Sequence, residues 1–353
     1  MSLFALASTS RRLRSAAARF QFQTITIHLQ DESGLRHQVE RWRELLGARK
    51  PTPYVRRLGI VEETPQGKWD DPNYRVRWPP DIEDDYFKPV PSEVWPLDKD
   101  DEFWTRAEAI ELDPWEPVSP PSTKADEQRL WAPVADFIGG LQRLLDVDYQ
   151  CKRQIPATLL AALNAKDDGP VRLHVYGFSL RSLYQDPSHP HDIDEDEFYL
   201  ATSSCLSSIR VCVPYHHDRP RGADHVGRHC FVEDAVAQMV EGLAPNLKSL
   251  SVTTTYSQKV PREKDGATWS GFFPAQPTNK LAQGRGKGTL QTLALESGVQ
   301  VDPDTIRAWN SHTDFTTLHS LHLHGQPLAV PTLNVLSEIS EAAGLRSLSS
   351  LSL

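Results

Sequence analysis

The densest run of side chains able to do chemistry is PYHHDRPRGADHVGRHC, which holds His216, His217, Asp218, Asp224, His225, His229 and Cys230. His225 and His229 are four residues apart, which on a helix would place two imidazoles on one face as zinc ligands. Pro220, Gly222 and Gly227 argue for a loop instead, and no Glu follows His225 as H-E-x-x-H requires. The run reads as a polar surface loop between structural units, and neither a metal nor another cofactor is expected.

Three further stretches hold residue types able to do chemistry. GRGKG at 284–288 has one Lys among glycines but lacks the G-x-x-x-x-G-K-[ST] spacing that cradles phosphates, so it reads as a flexible basic loop. The acid run from Asp192 to Glu197 lacks the sixth-position Gly and twelfth-position Glu of a calcium loop, so it reads as solvated. His322 and His324 alternate with Leu321 and Leu323, which puts both imidazoles on the face opposite the leucines. There they form part of a wetted face or of a ligand surface that responds to pH near neutrality. No nucleophile elbow, kinase set or dinucleotide fingerprint occurs, and the chain is expected not to be an enzyme.

What must position these residues is a recurring pattern. Leu247, Leu250 and Val252 are spaced L-x-x-L-x-L, as are Leu290, Leu293 and Leu295, Leu318, Leu321 and Leu323, and Leu348, Leu351 and Leu353. The last two apolar residues of each set alternate on a strand and share a face. Repeats of roughly 20–50 residues, each with one strand and a helix, describe a leucine-rich-repeat-like solenoid. The fold expected is α/β in that sense: short parallel strands, helices on the convex side and irregular repeats. Phe22, Ile25 and Ile27, then Val55, Leu58 and Ile60, carry the spacing near the N-terminus, and Leu206, Ile209 and Val211 carry it in the middle. Leu141, Leu144 and Val147 approximate another strand, followed by Leu173 and Val175.

Helical spacing fills the gaps. Val39, Trp42, Leu45 and Leu46 share a face within 36–50, and Leu130, Val134, Phe137, Ile138 and Leu141 share another. IPATLLAALN, the run from Phe231 to Leu243, PDTIRAWNSH and TLNVLSEISEAAG supply the rest. Residues 62–127 interrupt the pattern with eleven of the 27 prolines and five of the nine tryptophans, at Trp69, Trp78, Trp95, Trp104 and Trp115. That density forbids long helices and central strands, and an insertion, disordered in large part, is expected, with some of its tryptophans docked.

A net charge of −9 argues against a general nucleic-acid binder. Cys151, Cys205, Cys212 and Cys230 have no C-x-x-C spacing and suit a reducing cytoplasm or nucleus. No apolar run approaches the roughly 18 residues of a membrane span, and no membrane partner is expected. The first 24 residues carry four Arg and no acid, which is also how a mitochondrial transit peptide looks.

Leu3, Leu6, Ser8, Ser10, Arg11, Arg12, Leu13, Arg14 and Ala17 resemble the second half of an F-box, and the runs "QIPATLLAALN…VRLHVYGFSLRSL", "LATSSCLSSIRV…EDAVAQMVEGLAPNLKSLSV" and "TIRAWNSHTDFTTLHSLHL" are similar to fungal F-box proteins with irregular leucine-rich repeats. The resemblance covers most of 128–353 plus the N-terminal remnant; the Leu-Pro-x-Glu-type start of an F-box is missing. It implies an F-box remnant at 1–19, first repeats at 20–61, the insertion at 62–127 and the main solenoid at 128–353. It further implies a substrate receptor of an SCF-type ubiquitin ligase, with Leu3, Leu6 and Leu13 toward a Skp-type adaptor and its cullin ligase, and an unknown protein substrate. The alternative is a repeat scaffold whose remnant helix only caps one end. By strand alternation, the outward residues Ser249, Ser251, Thr253, Thr292, Ala294, Glu296, Ser320, His322 and His324 form the candidate surface, with Thr253, Thr292, Glu296, His322 and His324 as partner contacts.

Overall fold

A computed structural model of the protein describes residues 22–29, 32–47, 54–62, 124–151, 153–166, 169–185, 193–213, 229–254, 287–296, 299, 301–323, 328–342 and 345–353. The expected F-box remnant with Leu3, Leu6 and Leu13, nearly all of the insertion, the cluster from His216 to His225, and His324 lie outside these residues.

Among the described residues nine strands form one sheet: β1 (Thr24–Leu29), β2 (Arg57–Glu62), β3 (Asp146–Gln150), β4 (Arg172–Phe178), β6 (Leu206–Val213), β8 (Ser249–Thr254), β9 (Thr292–Leu295), β10 (Ser320–Leu323) and β11 (Ser350–Ser352). They lie side by side in chain order, and every neighbouring pair is parallel. Two short strands, β5 (Tyr184–Gln185) and β7 (His229–Cys230), pair antiparallel beside it. Parallel neighbours need a crossover between them, and here α1 (Glu32–Gly47), α2 (Lys124–Gly140), α3 (Ala157–Asn164), α4 (Glu195–Ala201), α5 (Val232–Gln238), α6 (Pro303–His312) and α7 (Val330–Glu341) lie in the connections. This is a solenoid-like α/β arrangement.

The register turns the apolar spacing into rows. Ile25, Leu58, Val147 and Leu173 are cross-strand partners, as are Ile27, Ile60, Tyr149, Val175, Ile209, Leu250, Leu293, Leu321 and Leu351. Along these rows every residue but Leu351 is almost completely buried, in one cluster that also holds Leu35 and Val39 of α1, Trp131 and Ile138 of α2, and Ile306 and Trp309 of α6. The residue after each motif's first Leu extends the ladder: Gln291 N donates to Lys248 O at 2.7 Å, His319 N to Gln291 O at 2.7 Å, and Ser349 N to His319 O at 2.8 Å.

Four local readings need correction. Leu45 of α1 is exposed, and Leu35, Val39 and Leu46, with Trp42 half-buried, make the inward stripe. The strand near 147 runs in the frame Leu144, Val147, Tyr149 and not Leu141, Leu144, Val147, because Val147 aligns with Leu58 and Leu173. Helix α2 begins at Lys124, ahead of the expected 128 boundary. From Asp194 to Glu197 the acid run opens a helix and is not a loop: Asp194 caps α4, accepting from Asp196 N at 2.9 Å, and buried Glu197 accepts from Ser182 N at 3.1 Å and from the Ser182 hydroxyl, while Glu195 stays exposed.

The first strand's outer edge is closed by α1. Gln38 donates to His28 O at 2.7 Å and accepts from His28 N at 2.8 Å, so a side-chain amide takes the place of a further strand, and Trp42 Nε1 donates to Thr26 O at 3.2 Å. At the other end, Leu351 and Leu353 are 51% and 62% exposed, whereas Leu321 and Leu323 in the same motif positions are at most 1% exposed.

Candidate functional site

Between the apolar rows, every second strand residue points to the opposite face of the sheet. One row there runs Thr26, Gly59, Asp148, His174, Ser208, Ser249, Thr292, Ser320, Ser350, and another runs Arg210, Ser251, Ala294, His322, Ser352. Arg57, Asp146 and Arg172 begin a third. This face is polar where the other is apolar, and most of it is nevertheless buried.

The reason is that long side chains bridge strands and roof over short ones. Arg57 reaches Asp148 with two hydrogen bonds, Nε to Oδ2 at 2.5 Å and Nη2 to Oδ1 at 3.0 Å. Arg172 grips Asp146 in the same way, at 2.7 and 3.0 Å. Arg210 on β6 reaches across β8 to Glu296, which follows β9, with Nη2 donating to Oε2 at 3.1 Å. Ser251, lying between them on β8, donates to Glu296 Oε1 at 2.6 Å and is 0% exposed. Burial tends to raise the pKa of Asp146, but hydrogen bonds from His174 and Arg172 hold it below the usual carboxylate value. Burial tends to lower that of Arg57, but hydrogen bonding and attraction from Asp148 raise it.

His174 joins three strands. Its Nε2 lies 3.2 Å from Asp146 Oδ1 and its Nδ1 lies 2.6 Å from Ser208 Oγ. Acid, imidazole and hydroxyl in that order are the components of a nucleophilic relay. In this chain Ser208 is 3% exposed and Asp146 is also paired with Arg172. The contact depends on irregular pairing: Leu173 aligns with Leu206, but the register then slips so that His174 meets Ser208. Alternation alone would not have paired them.

The described residues among those expected on this surface lie on this face, but not as an exposed one. Thr253 and Ser320 are almost buried, Thr292 and Ala294 are buried, Glu296 is tied to Arg210 and Ser251, and His322 is half-buried. His319 is exposed, with Nδ1 3.0 Å from Thr317 O. The charged members of the face, Arg57, Asp146, Asp148, Arg172, His174 and Arg210, were not foreseen. Their signal in the sequence is the same alternation, since they occupy the positions beside and between the apolar residues in the N-terminal and middle frames.

The other stretches resolve differently. His229 and Cys230 form strand β7. Gly288 of GRGKG serves packing: its N donates to His312 O at 2.9 Å, its O accepts from Asp314 N at 2.8 Å, and a Cβ there would sit 1.9 Å from Val240 O. Burial raises the thiol pKa of Cys151 and of Cys205, which disfavours a reactive thiolate at either. Among the described residues no group of three or more His, Cys, Asp or Glu could hold a metal ion, and no helix is long and apolar enough to cross a membrane. On the helical side, a cavity of about 310 Å³ between α1 and α2 is lined by Arg36, Glu40, Arg43, Arg129 and Asp136, whose charges largely offset one another. Comparison with protein-family models, with curated proteins and with solved structures finds no match.

Proposed function

We propose that this chain is a protein-recognition module of the leucine-rich-repeat type, with the polar sheet face as its ligand surface. The observation that carries the reading is the contrast between the two faces of one parallel sheet. Parallel sheets are ordinarily apolar on both sides because helices cover both. Here the apolar rows and the helices' core residues form one cluster, while the opposite rows carry Arg57, Asp146, Asp148, His174, Arg210, Glu296 and His322. Buried charge of this kind contributes little net stability compared with apolar packing, so a role in specificity accounts for it better. Solenoids present extended surfaces of this type to their partners.

Within that reading, the resemblance of Leu3, Leu6 and Leu13 and their neighbours to the closing part of an F-box supports a receptor that presents bound protein to an SCF-type ligase. The test is affinity capture with the full chain and with a chain lacking residues 1–19, which leaves β1 intact, probing for a Skp-type adaptor and cullin. Adaptor captured by the full chain and lost on deletion is the expected result. Adaptor captured by neither refutes the ligase link, and other proteins captured equally by both forms would then mark a scaffold.

A further inference from the structure

Arg210 has more hydrogen-bonding capacity than its surroundings use. The residue is 7% exposed, and its Nη2 donates to Glu296. Its Nε and Nη1 are buried and have no hydrogen-bond partner among the described residues. A guanidinium cannot shed its charge, and two unpaired donors are an unfavourable state for a buried cation. Glu296 accepts from Nη2 through Oε2 and from Ser251 through Oε1 at 2.6 Å, and makes no bond to Nε or Nη1. The residues in register with Arg210 on the next two strands, Ser251 and Ala294, are short and carry no acceptor that reaches these two donors.

We propose that Arg210 is the anchor for a carboxylate carried by an acidic side chain of a protein partner, accepting from Nε and Nη1 while Glu296 keeps Nη2. A carboxylate suits the site because charge-assisted bonds to a planar guanidinium are the strongest it can make. The inference rests on the sheet face being the recognition surface, but its test does not need the partner.

The probe is sodium acetate, with sodium phosphate and sodium chloride at matched ionic strength as comparisons, added to the full chain carrying ¹⁵N-labelled arginine. The side-chain Nε–H resonance of Arg210, assigned by its loss in Arg210→Met, should shift saturably with acetate, with half-saturation in the millimolar range expected of so small a ligand. Glu296→Gln removes the competing carboxylate, lets Ser251 keep an acceptor, and should tighten acetate binding about tenfold, a change of about 1.4 kcal/mol. Arg210→Met/Glu296→Gln, which leaves no unpaired charge, should stay folded by circular dichroism and show no acetate-dependent stabilisation. A saturable response to phosphate alone would overturn the carboxylate assignment. No saturable response to either anion would mean that an ordered water only fills the site, and would overturn the proposal. Failure of adaptor capture would leave this result untouched, so the two readings fail separately.

Discussion

Leu293, Leu321 and Leu351 are cross-strand partners in one row and occupy the same position of the same motif. Sequence gives no reason for them to differ. Leu293 and Leu321 are 0% exposed, however, and Leu351 is 51% exposed. Replacing Leu by Ala removes three carbon groups, about 2.4 kcal/mol of transfer free energy at about 0.8 kcal/mol each when burial is complete. In the interior row a cavity term adds to this, giving about 3–4 kcal/mol for Leu321→Ala and for Leu293→Ala. At Leu351 about half the transfer term is absent and no sealed cavity forms, so Leu351→Ala should cost at most about 1 kcal/mol. Urea unfolding followed by far-ultraviolet circular dichroism measures all three, with midpoints compared at unchanged slope. If Leu351→Ala cost as much as Leu321→Ala, the last strand would have to be covered in solution. If Leu321→Ala cost less than about 1 kcal/mol, the row would not be a packed core and the solenoid argument would fail.

Two other outcomes follow from single residues. Gly288→Ala forces a methyl group to within 1.9 Å of Val240 O, backbone that cannot turn aside, and should cost about 3 kcal/mol or more. Gly139→Ala meets nothing within 4 Å in helix α2 and should stabilise by about 0.5–1 kcal/mol; equal effects in thermal melts would refute the close approach. Asp146 has its pKa lowered on folding, so its contribution is fully present above the unfolded value near 3.9 and is lost as pH falls through the lower folded value. Asp146→Asn should therefore cost about 1–2 kcal/mol near neutral pH, Arg172 being well exposed, with the gap to the parent closing below about pH 4. A gap that widens in acid would reverse the assigned sign.

The L-x-x-L-x-L spacing by itself determined where the C-terminal strands lie, which residues share a face, and that the strands are parallel with helices between. Period-two alternation and the burial of leucine are local physics, and they hold whichever strand is the neighbour. Near 147 the frames Leu144/Val147 and Val147/Tyr149 tie on apolar spacing, and only pairing to Leu58 and Leu173 breaks the tie. The polar face was legible in its residue types but not in its state. Alternation says that Thr292, Glu296 and His322 point away from the core; it cannot say that Arg210 reaches over Ser251 to Glu296 from 86 residues away. Nor could it pair His174 with Ser208, since that contact depends on a slip in register. The same holds for the acid run, where charge density suggested solvent and the Ser182 donors instead hold Glu197 in the fold. Contacts of that range depend on which strands become neighbours, and that is settled when distant segments pack, not along the chain.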